Sequence, residues 1–359
     1  MFQREFHFVR FDESARLPLF PSLGEFQTVL SRADKFDDPF LNELILTAPV
    51  QRLKDIGFLG AIDYVVVGNG RQNHRRRHNR FDHSLGVAQL ASVYAGIRNL
   101  SLDESRLLSA AGLLHDIGHG PLSHTLEPVF KANFSIGHHA AGNDLLRSSK
   151  ELKSVCAAYN VDLDAVAEMI EGESENAHGF LFGSPINLDT IEGITRSRVF
   201  VTSHHAPLPT RRIVELIAEA PSWPTDLLDQ FWELKHFVYE NFIHNRLGLI
   251  YDGLAQAYMV KHLDWFDKRD FSKNESQLRA KIPELFHLFA VGARSLVQLR
   301  SRLDVEMLDF VVKSPKRNFC VKSEFEINSP NDLSKRYVQS KTMRSTTLGA
   351  LLDGELDAA

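Results

Sequence analysis

The sequence predicts a mainly α-helical protein, and three observations carry that expectation. Apolar residues recur at steps of three and four along most of the chain. Helix ends are marked, by a Ser-x-x-Glu start at Ser101 and by Gly118, Gly120 and Pro121 just after His115. Outside a short strand-like run at Glu5–Val9, only Phe319, Val321, Phe325 and Ile327 alternate as a strand does.

In chain order, residues 1–39 are cut by Pro18, Pro21 and Pro39 and are expected to form an N-terminal capping segment. Helical periodicity starts near Phe40, with Gln51–Ile56 leading into the core and a turn at Gly68-Asn69-Gly70. His83, Val87, Leu90, Tyr94 and Ile97 share one helical face, so His83 points inward. Ser101 and Glu104 form a capping box for the next helix, whose buried face continues through Leu107, Ala111, Leu114 and His115. His115 and Asp116 then stand at a helix end beside a tight turn.

Further helices are expected over 122–132, 137–148 and 162–171, before an acidic loop at 171–179 and the segment Phe180–Ser197. After Pro207 and Pro209 the pattern predicts helices over 210–220, a long one over 225–262, and a helical stretch from Pro283 to about 310. The last residues are small and polar, which predicts a flexible tail. The expected organisation is a capping segment at 1–39, a catalytic core at 40–200, a helical lobe at 201–338 completing the site or an oligomer interface, and a tail at 339–359.

Composition sets the context. With 359 residues there is enough chain for a large core. Cys156 and Cys320 are the only cysteines and are far apart, against a disulfide framework or a thiolate metal site and for a reducing cytoplasm. The first residues lack a signal-peptide apolar run, and no stretch reaches membrane-spanning length, so a soluble cytoplasmic protein is expected. A formal charge of −5 gives no global attraction for nucleic acid.

The chemistry concentrates in Arg80-Phe81-Asp82-His83-Ser84-Leu85-Gly86 and in the run from Leu113 to Glu127, which holds His115-Asp116-Ile117-Gly118-His119 and Pro121-Leu122-Ser123-His124. Together they resemble the HD-domain phosphohydrolases, within them the deoxynucleoside triphosphate triphosphohydrolases. The resemblance runs from about Asp38 to Ser197 and, faintly, into 234–260. It implies an HD-domain helical core with a helical C-terminal extension and little β structure. It also implies a divalent cation (Mn, Mg, Fe, Ni, Co or Zn) on His83, His115 and Asp116. Neutral imidazoles with carboxylates suit such an ion and leave positions for water and substrate. The family's fourth ligand is an aspartate between hydrophobic residues, and Ile186-Asn187-Leu188-Asp189-Thr190-Ile191 resembles that segment, which assigns Asp189. Its competitors Glu171, Glu173 and Glu175 read more simply as a solvated acidic loop.

His119, His124 and Glu127 are the groups expected to handle protons and phosphate. On a helix, His124 and Glu127 would be neighbours at i and i+3; a plain surface pair is the alternative. His138 in Ile136-Gly137-His138-His139 matches the histidine that serves the family as proton donor or phosphate contact. Arg75, Arg76, Arg77 and Arg80, in a basic segment beginning at Arg71, read either as a solvated loop or as a phosphate-binding strip. Arg196 is the one phosphate-approaching residue that persists after the last metal aspartate. Elsewhere the family's nucleotide-reading positions are replaced, by Phe58-Leu59, by Thr190, Gly193 and Ser197, and by Leu234, for which Lys235 substitutes only if the register shifts. Expected partners are a nucleotide or nucleic-acid substrate and further copies of the chain. Hydrolysis of nucleotide phosphoesters or phosphoanhydrides is the first reading. A phosphodiesterase or single-stranded nuclease using Arg71–Arg80 is the second, and a catalytically silent nucleotide sensor the third.

Overall fold

The computed structural model describes residues 36–64, 78–172, 176–198, 210–219 and 225–354. The expected strand at Glu5–Val9, the turn at 68–70, Arg71, Arg75, Arg76 and Arg77 lie outside these residues. Asp38–Ala359 forms one compact unit.

Two antiparallel neighbours make its centre, Arg80–Ile97 and Leu102–Leu114. The first starts where the Asn79 side chain accepts from Asp82 N–H at 2.7 Å. It is buried nearly all round, from His83 and Val87 to Tyr94, as befits a helix at the middle of a domain. The second opens with the expected capping box, Ser101 Oγ accepting from Glu104 N–H and Glu104 accepting from Ser101 N–H. It ends at His115. The helix Leu188–Arg198 packs on the first of the pair and closes the layer.

Several expected elements differ. The helix expected at 122–132 begins only at Glu127, because Leu122 and Ser123 adopt left-handed backbone, φ 58° and 45°, which α-helix does not allow. The helix expected at 225–262 is Thr225–Val238, a π-turn at Tyr239–Ile243, and Arg246–Lys261, restarted where Asn245 Oδ1 caps Gly248 N–H at 2.7 Å. The stretch from Pro283 is three helices, Pro283–Arg294, Leu296–Arg300 and Val305–Leu308.

The one sheet among the described residues is a hairpin, β1 Val311–Val321 antiparallel to β2 Tyr337–Thr347, with Val311 opposite Thr347 and Val321 opposite Tyr337. Phe319 and Val321 belong to it; Phe325 and Ile327 lie beyond its end. Asp229 anchors the hairpin to the Thr225–Val238 helix, accepting from Arg336 Nη2 at 2.6 Å and Tyr337 Oη at 2.8 Å. The tail expected at 339–359 is corrected: residues 339–347 complete β2 and Leu348–Asp353 is a helix. Its Leu348, Leu351 and Leu352 enter the same buried cluster as Phe130, Tyr251 and Phe289. Three leucines at helical spacing outweigh the small, polar residues around them. Among the described residues no helix is long and apolar enough to cross a membrane.

Candidate metal centre

The two central helices bring His83 and His115 face to face, their Nε2 atoms 3.2 Å apart. Asp189, at the start of its own helix, places Oδ1 3.0 Å from His83 Nε2 and 3.8 Å from His115 Nε2. Asp116 completes the group, with Oδ2 3.7 Å from His83 Nε2 and Oδ1 3.4 Å from His115 Nε2. All four residues expected as ligands therefore converge. Bonds of about 2.0–2.2 Å put neighbouring donors of one cation roughly 3.0–3.5 Å apart; His83, His115 and Asp189 each bring one donor atom within 4.8 Å of the others, and Asp116 stands beside them with its Oδ2 held by Arg80.

The other ring nitrogens fix the tautomers. His83 Nδ1 donates to Glu192 and His115 Nδ1 to the Gly112 carbonyl at 2.8 Å. Both Nε2 lone pairs are thereby aimed at one point, and a carboxylate behind a ligating imidazole also raises its donor strength. Burial disfavours charge on His83, yet Glu192, Asp189 and Asp116 together push its pKa up to about 9. Without an ion the ring therefore takes up a second proton, at Nε2, which a bound cation would displace. Asp116, although buried, is held well below the usual carboxylate range, chiefly by Arg80, whose Nη1 lies 2.7 Å from Oδ2.

Glu192 is the residue that sequence reasoning passed over. It lies one turn beyond Asp189, and Arg196 one turn beyond Glu192, so the three share a helix face. Its carboxylate packs against Gly86, where an added Cβ would come within 2.5 Å of Glu192 Oε1. Despite burial, Arg196 and His83 pull its pKa down to about 2. Arg196 is corrected in turn. Expected at phosphate, it is buried and its guanidinium is taken up by Glu192, by His78 Nδ1 at 2.9 Å and by the Asp82 carbonyl at 2.9 Å. Adjacent Arg80 is likewise buried, donating to Ser123 Oγ at 3.0 Å as well as to Asp116.

Beside this centre stand His119, His124, His138 and Glu127, which the fold also brings together. His119 stacks on His138 with centroids 4.2 Å apart and planes 9° from parallel; His124 meets His119 edge-on at 4.6 Å. Glu127 positions two of them, accepting from His138 Nδ1 at 2.7 Å and from His124 Nδ1 at 3.2 Å. The His124–Glu127 contact is formed across a turn, not along a helix. His119 is buried, and burial with Arg80 keeps its pKa well below the ordinary histidine value. Its Nε2 lies 3.2 Å from Asp116 Oδ1, which links the two groups. The ring nitrogens of the three histidines also lie within 4.8 Å of one another.

Two further features hold the arrangement. Gly118 is obligatory: a Cβ there would meet the His138 carbonyl at 1.9 Å, so only glycine lets the His138–Ser148 helix approach. Arg52 donates from Nη2 to the Ile117 and His119 carbonyls, both at 2.7 Å, and so fixes the turn after Asp116. Phe58 packs against His83, the ring centroids 4.7 Å apart. Lys235, not Leu234, brings a cation to this side; it is buried under Trp232, donates to the Pro185 carbonyl at 3.0 Å, and has its pKa lowered by burial to about 8 against the pull of Asp189.

Comparison with known proteins agrees with this geometry. Residues 80–197 match the HD domain family, a stretch that contains every residue of both clusters. The chain is 28% identical over 206 residues to the uncharacterized protein MG461 of Mycoplasma genitalium, covering 50% of this chain and 46% of that protein. It is 29% identical over 187 residues to the uncharacterized protein YwfO of Bacillus subtilis, 50% of this chain and 41% of that one. With the deoxynucleoside triphosphate triphosphohydrolase SAMHD1 of Gallus gallus it shares 31% identity over 154 residues, 37% of this chain and 24% of the relative. The chain thus spans about half the length of the first two. It carries an HD domain over residues 80–197.

Proposed function

We propose that the protein is a metal-dependent phosphohydrolase that cleaves a phosphoester or phosphoanhydride bond in a nucleotide, in the manner that the name of the SAMHD1 relative describes. The observation that carries this reading is the pair of imidazole Nε2 atoms 3.2 Å apart, each with its Nδ1 already engaged, flanked by Asp116 and Asp189. A divalent ion on these four residues supplies positive charge for a phosphoryl oxygen and acidifies a water.

The remaining steps belong to side chains of this protein. Glu192 holds His83 in the tautomer that presents Nε2. Glu127 orients His124 and His138, so that one of them can hold or deliver a proton at the leaving oxygen. Neutral His119, its Nε2–H facing Asp116 and its ring stacked on His138, ties the two groups together without adding charge. The phosphate role first expected of Arg196 passes to other cations. A cytoplasmic location and homo-oligomeric assembly complete the reading, from the cysteine content and the resemblance respectively.

The test is metal analysis of the purified full chain together with a hydrolysis panel. The panel contains dNTPs, NTPs, monophosphates, cyclic dinucleotides and labelled single-stranded DNA and RNA, with products identified by mass. A bound divalent metal and release of tripolyphosphate or phosphate from a nucleotide are the expected results. Metal-free protein sinks the reading. Cleavage of oligonucleotides alone transfers it to the nuclease class, and bound metal without any turnover transfers it to a sensor.

A further inference from the structure

The Arg246–Lys261 helix and the hairpin enclose a cleft of about 480 Å³. Lys316 and Arg317 of β1 and Arg344 of β2 line it, with Tyr239 and His244 from the π-turn region. This volume suits a nucleotide-sized ligand. Arg317 lays its guanidinium 4.7 Å over the Tyr239 ring, and its Nε is buried with no hydrogen-bond acceptor among the described residues. No carboxylate among the described residues pairs with Lys316, Arg317 or Arg344. Arg246, also on the wall, is spent on the Leu351 and Leu352 carbonyls, and the lining acid Glu240 faces His236 at 3.4 Å.

The surroundings report the same excess of positive charge. Burial and then the charges of Arg317 and Arg344 bring the pKa of His244 down to about 4. Tyr239 on its wall and Lys235 on the preceding helix each feel both Arg317 and Asp189. Unpaired guanidinium groups in a concave, partly apolar setting match phosphate, which accepts paired N–H donors. Strand rise separates the row of Arg344, opposite Ser314, from that of Arg317 by roughly 10 Å, more than one phosphate group covers.

We propose that the cleft beneath the hairpin is a binding site for a chain of adjacent phosphate groups, with Arg317 and Arg344 as its reading residues. On the phosphohydrolase reading, on which this link to catalysis rests, it receives the part of the substrate that extends away from the metal centre. The shared chemistry is an oligophosphate, free or carried by a nucleoside.

The test uses the full chain and inorganic tripolyphosphate as probe, by isothermal titration calorimetry at low and moderate salt. Arg344→Gln and Arg317→Gln are each expected to weaken binding at least tenfold with metal content unchanged. Arg344→Lys, which keeps the charge and is a control for folding alongside circular dichroism, is expected to lose less than Arg344→Gln. Asp116→Ala is expected to leave most of the affinity. Affinity within twofold of wild type in both glutamine variants, or loss only in Asp116→Ala, overturns the proposal and leaves the metal reading standing. Conversely, a metal-free protein whose tripolyphosphate binding depends on Arg317 and Arg344 keeps the cleft and loses the phosphohydrolase. Tighter binding of a nucleoside triphosphate, lost in the same variants, identifies the nucleotide as source. Binding of single-stranded oligonucleotide alone, without either small probe, rejects the oligophosphate.

Discussion

The metal centre and the hairpin cleft are both built from charge, but they treat it oppositely. In the metal centre each ionised group is answered: Asp116 by Arg80, Glu192 by Arg196, and His83 by Glu192 and Asp189. Around the cleft, no carboxylate among the described residues pairs with Lys316, Arg317 or Arg344, and the one lining acid, Glu240, faces His236. Paired, enclosed charges hold donor atoms in place at a cost in desolvation. Cations left together repel, and the arrangement is favourable only when an anion shares the site. The first region is organised before anything binds; the second is organised for something that binds.

The largest way to break this contrast is to remove a paired charge from the metal centre. Asp116→Ala takes away a ligand and leaves Arg80 buried without its anion, so metal content by mass spectrometry should fall to background and hydrolysis with it. An unpaired buried charge also costs about 3–5 kcal/mol. Asp116→Asn, which keeps the shape and an amide oxygen to accept from Arg80, should lessen that cost while still losing the ion. Metal retained in both variants would show that Asp116 is not a ligand. Glu127→Gln should act differently. It disturbs the orientation of His124 and His138 while leaving the four metal residues untouched. The expected result is a drop in kcat of about 10²-fold, the lower range for a positioned acid or base, with full metal content. Equal losses of kcat and metal would make Glu127 a structural part of the metal centre instead.

The same contrast explains what could be read from sequence. His83, His115, Asp116 and the His119–His138 group are local in motif and helix phase, and the structure brings each to the expected neighbourhood. Glu192 carried a signal too, since its spacing from Asp189 and Arg196 places all three on one face. What hid it was the plain appearance of a Glu-x-x-x-Arg helix pair, which is usually a surface feature. Arg196 was misread for the same reason: sequence offers a cation near a metal aspartate, not the carboxylate that occupies it. The cleft was illegible because its walls come from residues 239–249, 312–317 and 344–351, and only tertiary packing joins them. The helix Leu348–Asp353 was missed because three leucines were weighed less than the small and polar residues around them.

A smaller effect tests the positioning role directly. Glu192→Gln keeps the size of the side chain but weakens its hold on His83 Nδ1 and on Arg196. Metal affinity, measured by competition with a chelator, should fall 10–100-fold, the usual consequence of losing a carboxylate behind a ligating histidine. Excess metal should restore kcat, which a directly catalytic group would not allow. If saturating metal fails to restore it, Glu192 does more than orient the ligand.

The smallest effect concerns a carboxylate with few partners. Asp252, on the helix that also lines the cleft, accepts one hydrogen bond among the described residues, from Thr125 Oγ1 at 2.5 Å. Burial outweighs that bond and pushes its pKa up to about 7, whereas Glu192, more deeply buried but facing Arg196 and His83, is drawn down to about 2. Between pH 4 and 7 the folded state therefore keeps a proton on Asp252 that the unfolded chain has released, so this residue lowers stability as pH rises through that window. Above pH 7 the cost is complete and constant. Glu192 works with the opposite sign: its contribution is present above the ordinary glutamate range and is lost as pH falls towards 2. Asp252→Asn removes the charge and keeps an acceptor for Thr125. Its melting temperature should exceed that of the wild type by a few degrees at pH 8, with the gap closing towards pH 4. A gap that does not change with pH would assign the effect to packing and leave the Asp252 carboxylate ionised throughout.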